Sequence, residues 1–358
     1  MAAADALRDV VLQVEGAVCN TIFSTGPVAG DRQRAVATGA EAVLAAASAA
    51  HEGQRATAVL RPAELLGALE ALHAVARGRT PITVHVLGGG GTALQPGRDE
   101  LAPALDVGAG VIVTWSAQDS VDLALAARRA AEDSETPFVI VSDGGGPVMG
   151  LPGSGLVERF LGSGEKRGAP LESAFLHVES KRRERGYAAR APFALAAAMR
   201  ELGDLTGRPL TPVERYETTD AEEVILAVGH AFGAARSVAA SLRREGRRVG
   251  AVGVRALRPF FAAEVVKAIA RARSVVVLEP LDVALAPAGP LATTLKAAFA
   301  DALTWAPGFP GVGRIPTIVS VVFATLEGAA TEMQVREALA ELVAGDRAKR
   351  LLVFGSGA

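Results

Sequence analysis

Residues 220–229 are DAEEVILAVG, residues 246–254 are GRRVGAVGV and residues 274–279 are SVVVLE. Each stretch contains a short apolar run rich in valine, which is typical of a strand buried on both faces of a parallel sheet. Between these stretches, apolar residues recur at helical spacing over Phe232–Arg244 and Ala262–Ala272. Strands that alternate with helices predict βαβ units, so we expect an α/β domain with a mainly parallel sheet.

The same alternation continues on both sides of this region. Additional strands are expected at Thr57–Leu60, Ile82–Leu87, Val111–Thr114, Phe138–Ser142 and Thr317–Val322. Additional helices are expected at Pro62–Ala76, Val121–Glu132, Leu291–Leu303 and Glu332–Val343. Ser116, followed three residues later by Asp119, predicts a capping box that begins a helix directly after a strand.

A break in the pattern divides the chain. Gly144–Gly168 is rich in Gly, Pro and Ser, and Lys181–Arg185 is a charged run, so we expect a long surface connection here. The sequence therefore predicts two α/β domains, at residues 1–200 and 215–358. Each is expected to be a mainly parallel sheet with helices on both faces.

Composition excludes several classes of function. The chain of 358 residues carries a net charge of −2, which gives no field to gather nucleic acid or anionic lipid. A single cysteine, Cys19, excludes an internal disulfide and a four-cysteine iron–sulfur cluster. Asp5, Arg8 and Asp9 argue against a signal peptide, and no uncharged apolar run reaches the roughly 20 residues that cross a bilayer. We expect a cytoplasmic protein without nucleic-acid or membrane partners.

Two glycine-rich segments follow predicted strands, where α/β sheets bind ligands. Gly88–Gly91 either lets the backbone approach a phosphate or carboxylate, or forms a flexible turn. Ser142–Gly146 is similar to the Gly-Asp-Gly that begins a thiamine diphosphate metal site, but the asparagine needed downstream is missing, since the only one is Asn20. Asp143 is therefore interpreted as a strand-end or turn carboxylate.

The histidines show no metal-binding pattern. None of the five lies four residues from another or near the cysteine, so no metal site is predicted. His85 falls within an apolar strand, and we interpret it as a hydrogen-bonded core residue.

Several ordered motifs carry a resemblance to a known family. They are Leu205–Leu210, Asp220–Gly229, Gly246–Gly250, Val254–Phe260 and Ser274–Glu279. Their order and spacing resemble the second domain of pyruvate:ferredoxin oxidoreductases and of their α-type subunits. Gly39–Leu65, Ser116–Ala126 and Pro137–Gly144 resemble the preceding domain of that family. The resemblance implies a pyrimidine-binding domain followed by a transketolase C-terminal-like domain.

The departures from the family concern its catalytic positions. The family's glutamate, which contacts the pyrimidine ring of thiamine diphosphate, corresponds to Ala35, and its substrate-binding arginine to about Gly89. A Thr-Pro turn of the family corresponds to Ser24–Pro27. We therefore assign no catalytic residue, and leave Thr25, Gly88, Gly89 and Gly90 as candidates for cofactor contact.

Three hypotheses follow. The first is a subunit of an oxidoreductase complex with a lost or altered thiamine site and a scaffolding or docking role. The second is a working 2-oxoacid:acceptor oxidoreductase component, for which Glu15 or Glu41 supplies the missing carboxylate. The third is a small-molecule-binding regulatory protein that uses the cleft near Gly88–Gly91.

Cofactors and partners are expected as follows. The chain holds no cofactor by itself, and thiamine diphosphate is expected only at an interface with a partner chain. That partner is another subunit, bearing thiamine and iron–sulfur motifs, or a second copy of the chain. The alanine-rich helix around Ala42–Ala50 is expected to pack closely against other chains.

Overall fold

The computed structural model describes residues 2–88, 101–162, 186–279, 285–324, 332–343 and 351–355. These residues form two compact units. The first contains most of the chain up to Pro212 and the short segment Ala256–Pro259. The second contains Val213–Arg255 and the chain from Phe260 onward.

The first unit is built on a seven-stranded sheet with the order β10-β5-β6-β4-β3-β1-β2. The strands are β1 (Thr21–Ser24), β2 (Gln33–Ala35), β3 (Ala56–Leu60), β4 (Thr83–Leu87), β5 (Gly110–Val113), β6 (Phe138–Ser142) and β10 (Ala256–Arg258). All neighbouring pairs are parallel except β10 with β5. The central strands β3, β4 and β6 are buried at every position, because helices cover them on both sides.

The helices of this unit form two groups that each pack on the sheet. They are α1 (Ala2–Val18), α2 (Gly39–His51), α3 (Pro62–Leu65), α4 (Leu69–Gly78), α5 (Leu101–Ala104), α6 (Ala117–Ser134), α7 (Ser154–Leu161) and α8 (Gly186–Thr206). One group consists of α2, α3 and α4, and the other brings together α1, α6, α7 and α8. Helix α6 begins as the sequence predicts, because Ser116 Oγ accepts a hydrogen bond from the Asp119 N–H at 3.1 Å.

A buried polar network joins α1 to the middle of the sheet. Glu15 accepts a hydrogen bond from His85 Nε2 at 2.7 Å, and its other oxygen lies 3.5 Å from Arg128 Nη2. Arg128, from α6, also donates to the Ala56 carbonyl at 2.9 Å and contacts Cys19 Sγ at 3.2 Å. Burial alone would raise the pKa of Glu15, but the hydrogen bond from His85 and the charge of Arg128 lower it to about 2. The network confirms that His85 is a hydrogen-bonded core residue.

The second unit is built on a six-stranded sheet with the order β13-β12-β11-β8-β9-β7. The strands are β7 (Val213–Tyr216), β8 (Glu223–Val228), β9 (Val249–Val254), β11 (Ser274–Glu279), β12 (Thr317–Ala324) and β13 (Leu351–Gly355). The helices are α9 (Ala231–Arg244), α10 (Ala262–Ile269), α11 (Pro290–Leu303) and α12 (Glu332–Val343). Only β7 runs antiparallel to its neighbour, so both units are α/β with mainly parallel sheets, as predicted.

Some features differ from the sequence-based expectations. The alanine-rich helix α2 places Ala42, Ala46 and Ala50 in the core of its own unit, so these side chains are not available to another chain. Part of the expected surface connection forms α7, and the second sheet already begins at Val213. None of the described helices is both long and apolar enough to cross a membrane.

We predict that Arg128→Met lowers the free energy of unfolding of the first unit by about 3–5 kcal/mol, because the buried Glu15 carboxylate loses its guanidinium partner. Methionine keeps most of the length of the side chain. The loss of stability therefore reflects the missing positive charge more than a change in side-chain volume. Urea unfolding in a Trp305→Phe background lets Trp115 report on the first unit alone.

Arg159→Ala is the matched control, since Arg159 is exposed on α7 and makes no ion pair within the described chain. It should change stability by no more than about 0.5 kcal/mol. Equal effects of the two substitutions would contradict the role given to Arg128.

Candidate functional site

The candidate site lies where the parallel strands of the first sheet end. Because β1, β2, β3, β4 and β6 run in the same direction, the residues that follow them meet at one edge of the sheet. Ser24, at the end of β1, is paired in register with Ala35, at the end of β2. The structure thus brings two positions singled out in the sequence, Thr25 and Ala35, to the same edge.

Helix α1 holds the Ser24–Pro27 turn in place. Arg8 donates hydrogen bonds to Ser24 Oγ at 2.7 Å and to the Pro27 carbonyl at 2.8 Å. Gly26 has no side chain, and a Cβ there would come within 2.8 Å of the Arg8 guanidinium. The turn that the family resemblance assigns to ligand contact is therefore covered by an arginine of the chain itself.

Ala35 places a methyl group where the resemblance implies a carboxylate. It is exposed at the end of the edge strand β2. The two carboxylates considered from the sequence as replacements both have other roles. Glu15 is buried in the network with His85 and Arg128, and Glu41 accepts a hydrogen bond from the Ala37 N–H at 2.8 Å at the start of α2.

A third carboxylate, Glu64, lies at this edge and was missed by the sequence analysis. It accepts a hydrogen bond from the Arg61 N–H at 3.2 Å and pairs with the Arg61 guanidinium, while the Thr25 hydroxyl donates to the Val59 carbonyl at 3.4 Å. Partial burial favours the neutral acid, but the interactions with Arg61 and Thr25 outweigh it and lower the pKa of Glu64. The signal in the sequence was Arg61-Pro62 with Glu64 directly after a strand, a pattern typical of a helix start.

The other candidate positions along this edge divide between described and undescribed residues. Gly88 is half-buried and follows β4 directly, whereas Gly89 and Gly90 lie outside the described residues. Asp143 is buried at the end of β6, where its N–H donates to Thr114 Oγ1 at 3.0 Å. The following Gly144 has a φ of +97°, and a Cβ there would come within 2.3 Å of the Trp115 carbonyl oxygen. This segment is a tightly packed strand end.

Metal ligands do not gather in the described part of the chain. No three side chains of His, Cys, Asp or Glu come together there as a cation would require.

The second unit contains a buried carboxylate of a different kind. Glu279, at the end of β11, accepts hydrogen bonds from the Leu291 N–H at 2.8 Å and the Ala292 N–H at 3.2 Å, at the start of α11. The Ser320 hydroxyl donates to it at 3.1 Å. Burial raises the pKa of Glu279 to about 7, because these hydrogen bonds and the charge of Lys296 offset only part of the loss of hydration.

We predict that the titration of Glu279 lowers the free energy of unfolding as the pH rises from 4.5 to about 7. The folded protein keeps this proton up to about pH 7, whereas an unfolded glutamate releases it near 4.5. The folded state therefore binds more protons in this window, and its stabilisation is complete below 4.5 and lost as the pH rises through about 7.

The Glu279→Gln variant should show a flatter dependence of the unfolding free energy on pH across this window. Glu245→Gln, which removes an exposed carboxylate paired with Arg336, is the control and should keep the slope of the parent protein. Parallel pH profiles for the parent protein and Glu279→Gln would contradict the assignment.

The match to a known protein family lies mainly within the second unit. Residues 221–311 match the pyruvate:ferredoxin oxidoreductase core domain II. The pyruvate synthase subunit PorA of Methanothermobacter thermautotrophicus is 36% identical over 104 residues, which are 29% of this chain and 27% of that protein. A probable pyruvate-flavodoxin oxidoreductase of Escherichia coli is 37% identical over 106 residues, 29% of this chain and 9% of that protein. The matches thus span only a minor part of either relative.

Solved structures share the fold over nearly the whole chain. A 2-oxoglutarate:ferredoxin oxidoreductase from Magnetococcus marinus superposes with a TM-score of 0.64 at 15% identity, covering 94% of this chain and 64% of that one. A split-gene transketolase, described as an inactive β4 tetramer, gives a TM-score of 0.56 at 16% identity and covers 97% and 98%. At these identities the structures show the fold alone. The sequence matches show that part of this chain is similar to the pyruvate:ferredoxin oxidoreductase core domain II, to a PorA subunit and to a pyruvate-flavodoxin oxidoreductase.

Proposed function

We propose that this chain is an α-type subunit of a 2-oxoacid:ferredoxin oxidoreductase-like complex that has lost its share of the thiamine site and acts by docking its partner chains. The observation that supports the proposal is the exposed methyl group of Ala35, at the position where the family resemblance implies a glutamate. The nearby carboxylates offer no free replacement, because Glu15, Glu41 and Glu64 all accept hydrogen bonds from other residues of the chain.

The described residues do not fit thiamine diphosphate. Its aminopyrimidine ring needs a carboxylate within hydrogen-bond distance. The position that the resemblance implies holds Ala35, and Glu64, the carboxylate at the same edge, is paired with Arg61. Its diphosphate is held through a hard cation that takes several oxygen ligands, and the described residues gather no such set. Asp143, the carboxylate of the thiamine-like motif, is buried within the strand end.

The proposed role depends on partner chains. The PorA relatives are subunits by name, and this chain corresponds to a minor part of their length. We infer that a partner supplies the cofactor and the electron-transfer groups, while the two α/β units of this chain provide a surface for assembly. A fold that persists without its catalytic groups retains its outer surfaces, which is what docking requires.

The proposal is tested by affinity purification of the chain from its native cell, followed by mass spectrometry of its stoichiometric partners and quantification of bound thiamine. We expect a partner with thiamine and cysteine-cluster motifs. Purification with no partner bearing a redox cofactor would contradict the docking role.

A variant of Glu64 tests whether the site is lost. In the purified assembly, Glu64→Gln should change the rate of 2-oxoacid oxidation by less than about twofold, because this carboxylate pairs with Arg61 and stabilises the start of α3. Glu41→Gln is the matched control, since Glu41 caps α2 in a similar way. A loss of about a hundredfold or more in Glu64→Gln alone, with the assembly intact by size-exclusion chromatography, would show that this chain supplies a working carboxylate.

A further inference from the structure

A groove in the second unit lies between α9 and the strand β7. It has a volume of about 330 Å³, which is within the range of small-ligand sites. The residues that line it are Tyr216, Gly233, Arg236, Ser237 and Ala240. None of them belongs to the edge of the first sheet, so the groove is separate from the candidate thiamine site.

Arg236 is positioned in this groove by two aromatic rings. Its guanidinium carbon lies 5.5 Å from the centre of the Tyr216 ring and 5.8 Å from that of Phe232. Phe232 is itself fixed, because it lies against the backbone of Gly253, where a Cβ would come within 2.7 Å of the ring. Stacking of this kind orients the guanidinium and leaves its edge free to donate hydrogen bonds.

Arg236 has one ion pair among the described residues, and about half of its side chain is exposed. That ion pair is with Glu214, at 3.7 Å, beyond hydrogen-bond distance. The other polar residues that line the groove are Tyr216 and Ser237. No described carboxylate lines it, and the nearest acidic partner of the guanidinium is Glu214. The groove is therefore lined by a partly exposed guanidinium and by two residues that carry hydroxyl groups.

Gly233 supplies an independent indication that the groove stays open. Glycine is the least favourable helix residue apart from proline, costing up to about 1 kcal/mol relative to alanine. A Cβ at Gly233 would meet no atom within 4 Å, so neither packing nor a left-handed backbone requires glycine here. A larger side chain at this position would extend into the groove that Gly233 lines.

We propose that this groove binds a small organic anion that carries a flat ring. The anionic group is bound by the guanidinium of Arg236 with the hydroxyl of Ser237, and the ring lies against Tyr216. Charge-assisted hydrogen bonds from a pre-oriented arginine favour a carboxylate or phosphate, and the aromatic wall favours a planar group beside it. This inference is independent of the proposed docking function.

The test uses the full chain and two probes, AMP and benzoate, in isothermal titration calorimetry. We expect at least one probe to bind saturably with a stoichiometry of about one. Arg236→Gln should weaken this binding about tenfold or more, because it removes the charge and most of the donors. Gly233→Leu should abolish it by filling the groove.

Arg244→Gln is the matched control, since Arg244 is exposed on the same helix and does not line the groove. It should leave the affinity within about twofold of the parent protein. Circular dichroism of each variant establishes that α9 is intact. Failure of both probes to bind saturably, or binding that Gly233→Leu leaves unchanged, would overturn the proposal.

Discussion

The buried contact of Glu15 with His85 and Arg128 is the interaction on which the first unit depends. Three elements that are distant in sequence, namely α1, β4 and α6, each contribute one charged or polar group to it. Removing these groups from water is costly, so the arrangement is stable only when all three are present. Arg8 lies seven residues before Glu15, on the same face of α1, so fixing Glu15 in the core also places Arg8 over the Ser24–Pro27 turn.

Two buried glutamates of this chain behave in opposite ways, and their partners explain the difference. Glu15 contacts a guanidinium and a histidine, which favour its ionised form and lower its pKa to about 2. Glu279 contacts two N–H groups and a hydroxyl, whose dipoles do not compensate for the loss of hydration. Its pKa therefore rises to about 7. Glu15 therefore contributes stability above pH 4.5 that is lost as the pH falls toward 2, while Glu279 contributes stability that is lost as the pH rises toward 7.

The sequence predicts the regular parts of the fold and fewer of the contacts that shape the site. Val249–Val254 and Ser274–Glu279 are strands with the predicted bounds, because a valine-rich run between helices has few other interpretations. β2 and β10 have only three residues each, too few for a periodic signal, and their pairing is decided by tertiary contacts. The position of Ala35 beside Ser24 depends on that pairing, and so does the edge at which Thr25 and Ala35 meet.

The proposed loss of a catalytic carboxylate is compatible with an intact fold for an electrostatic reason. A carboxylate kept free for catalysis at a strand end is a partly desolvated charge without a permanent partner, so it adds to the free energy of the folded state. The proposed replacement by the methyl group of Ala35 would remove that cost and leave Glu15, Glu41 and Glu64 with the partners that they have in the structure. Selection for stability alone would therefore retain both sheets and their helices while the site loses its charge. On the proposed loss of the site, the chain would keep the surfaces that assembly requires, which is the physical argument for the proposed docking role.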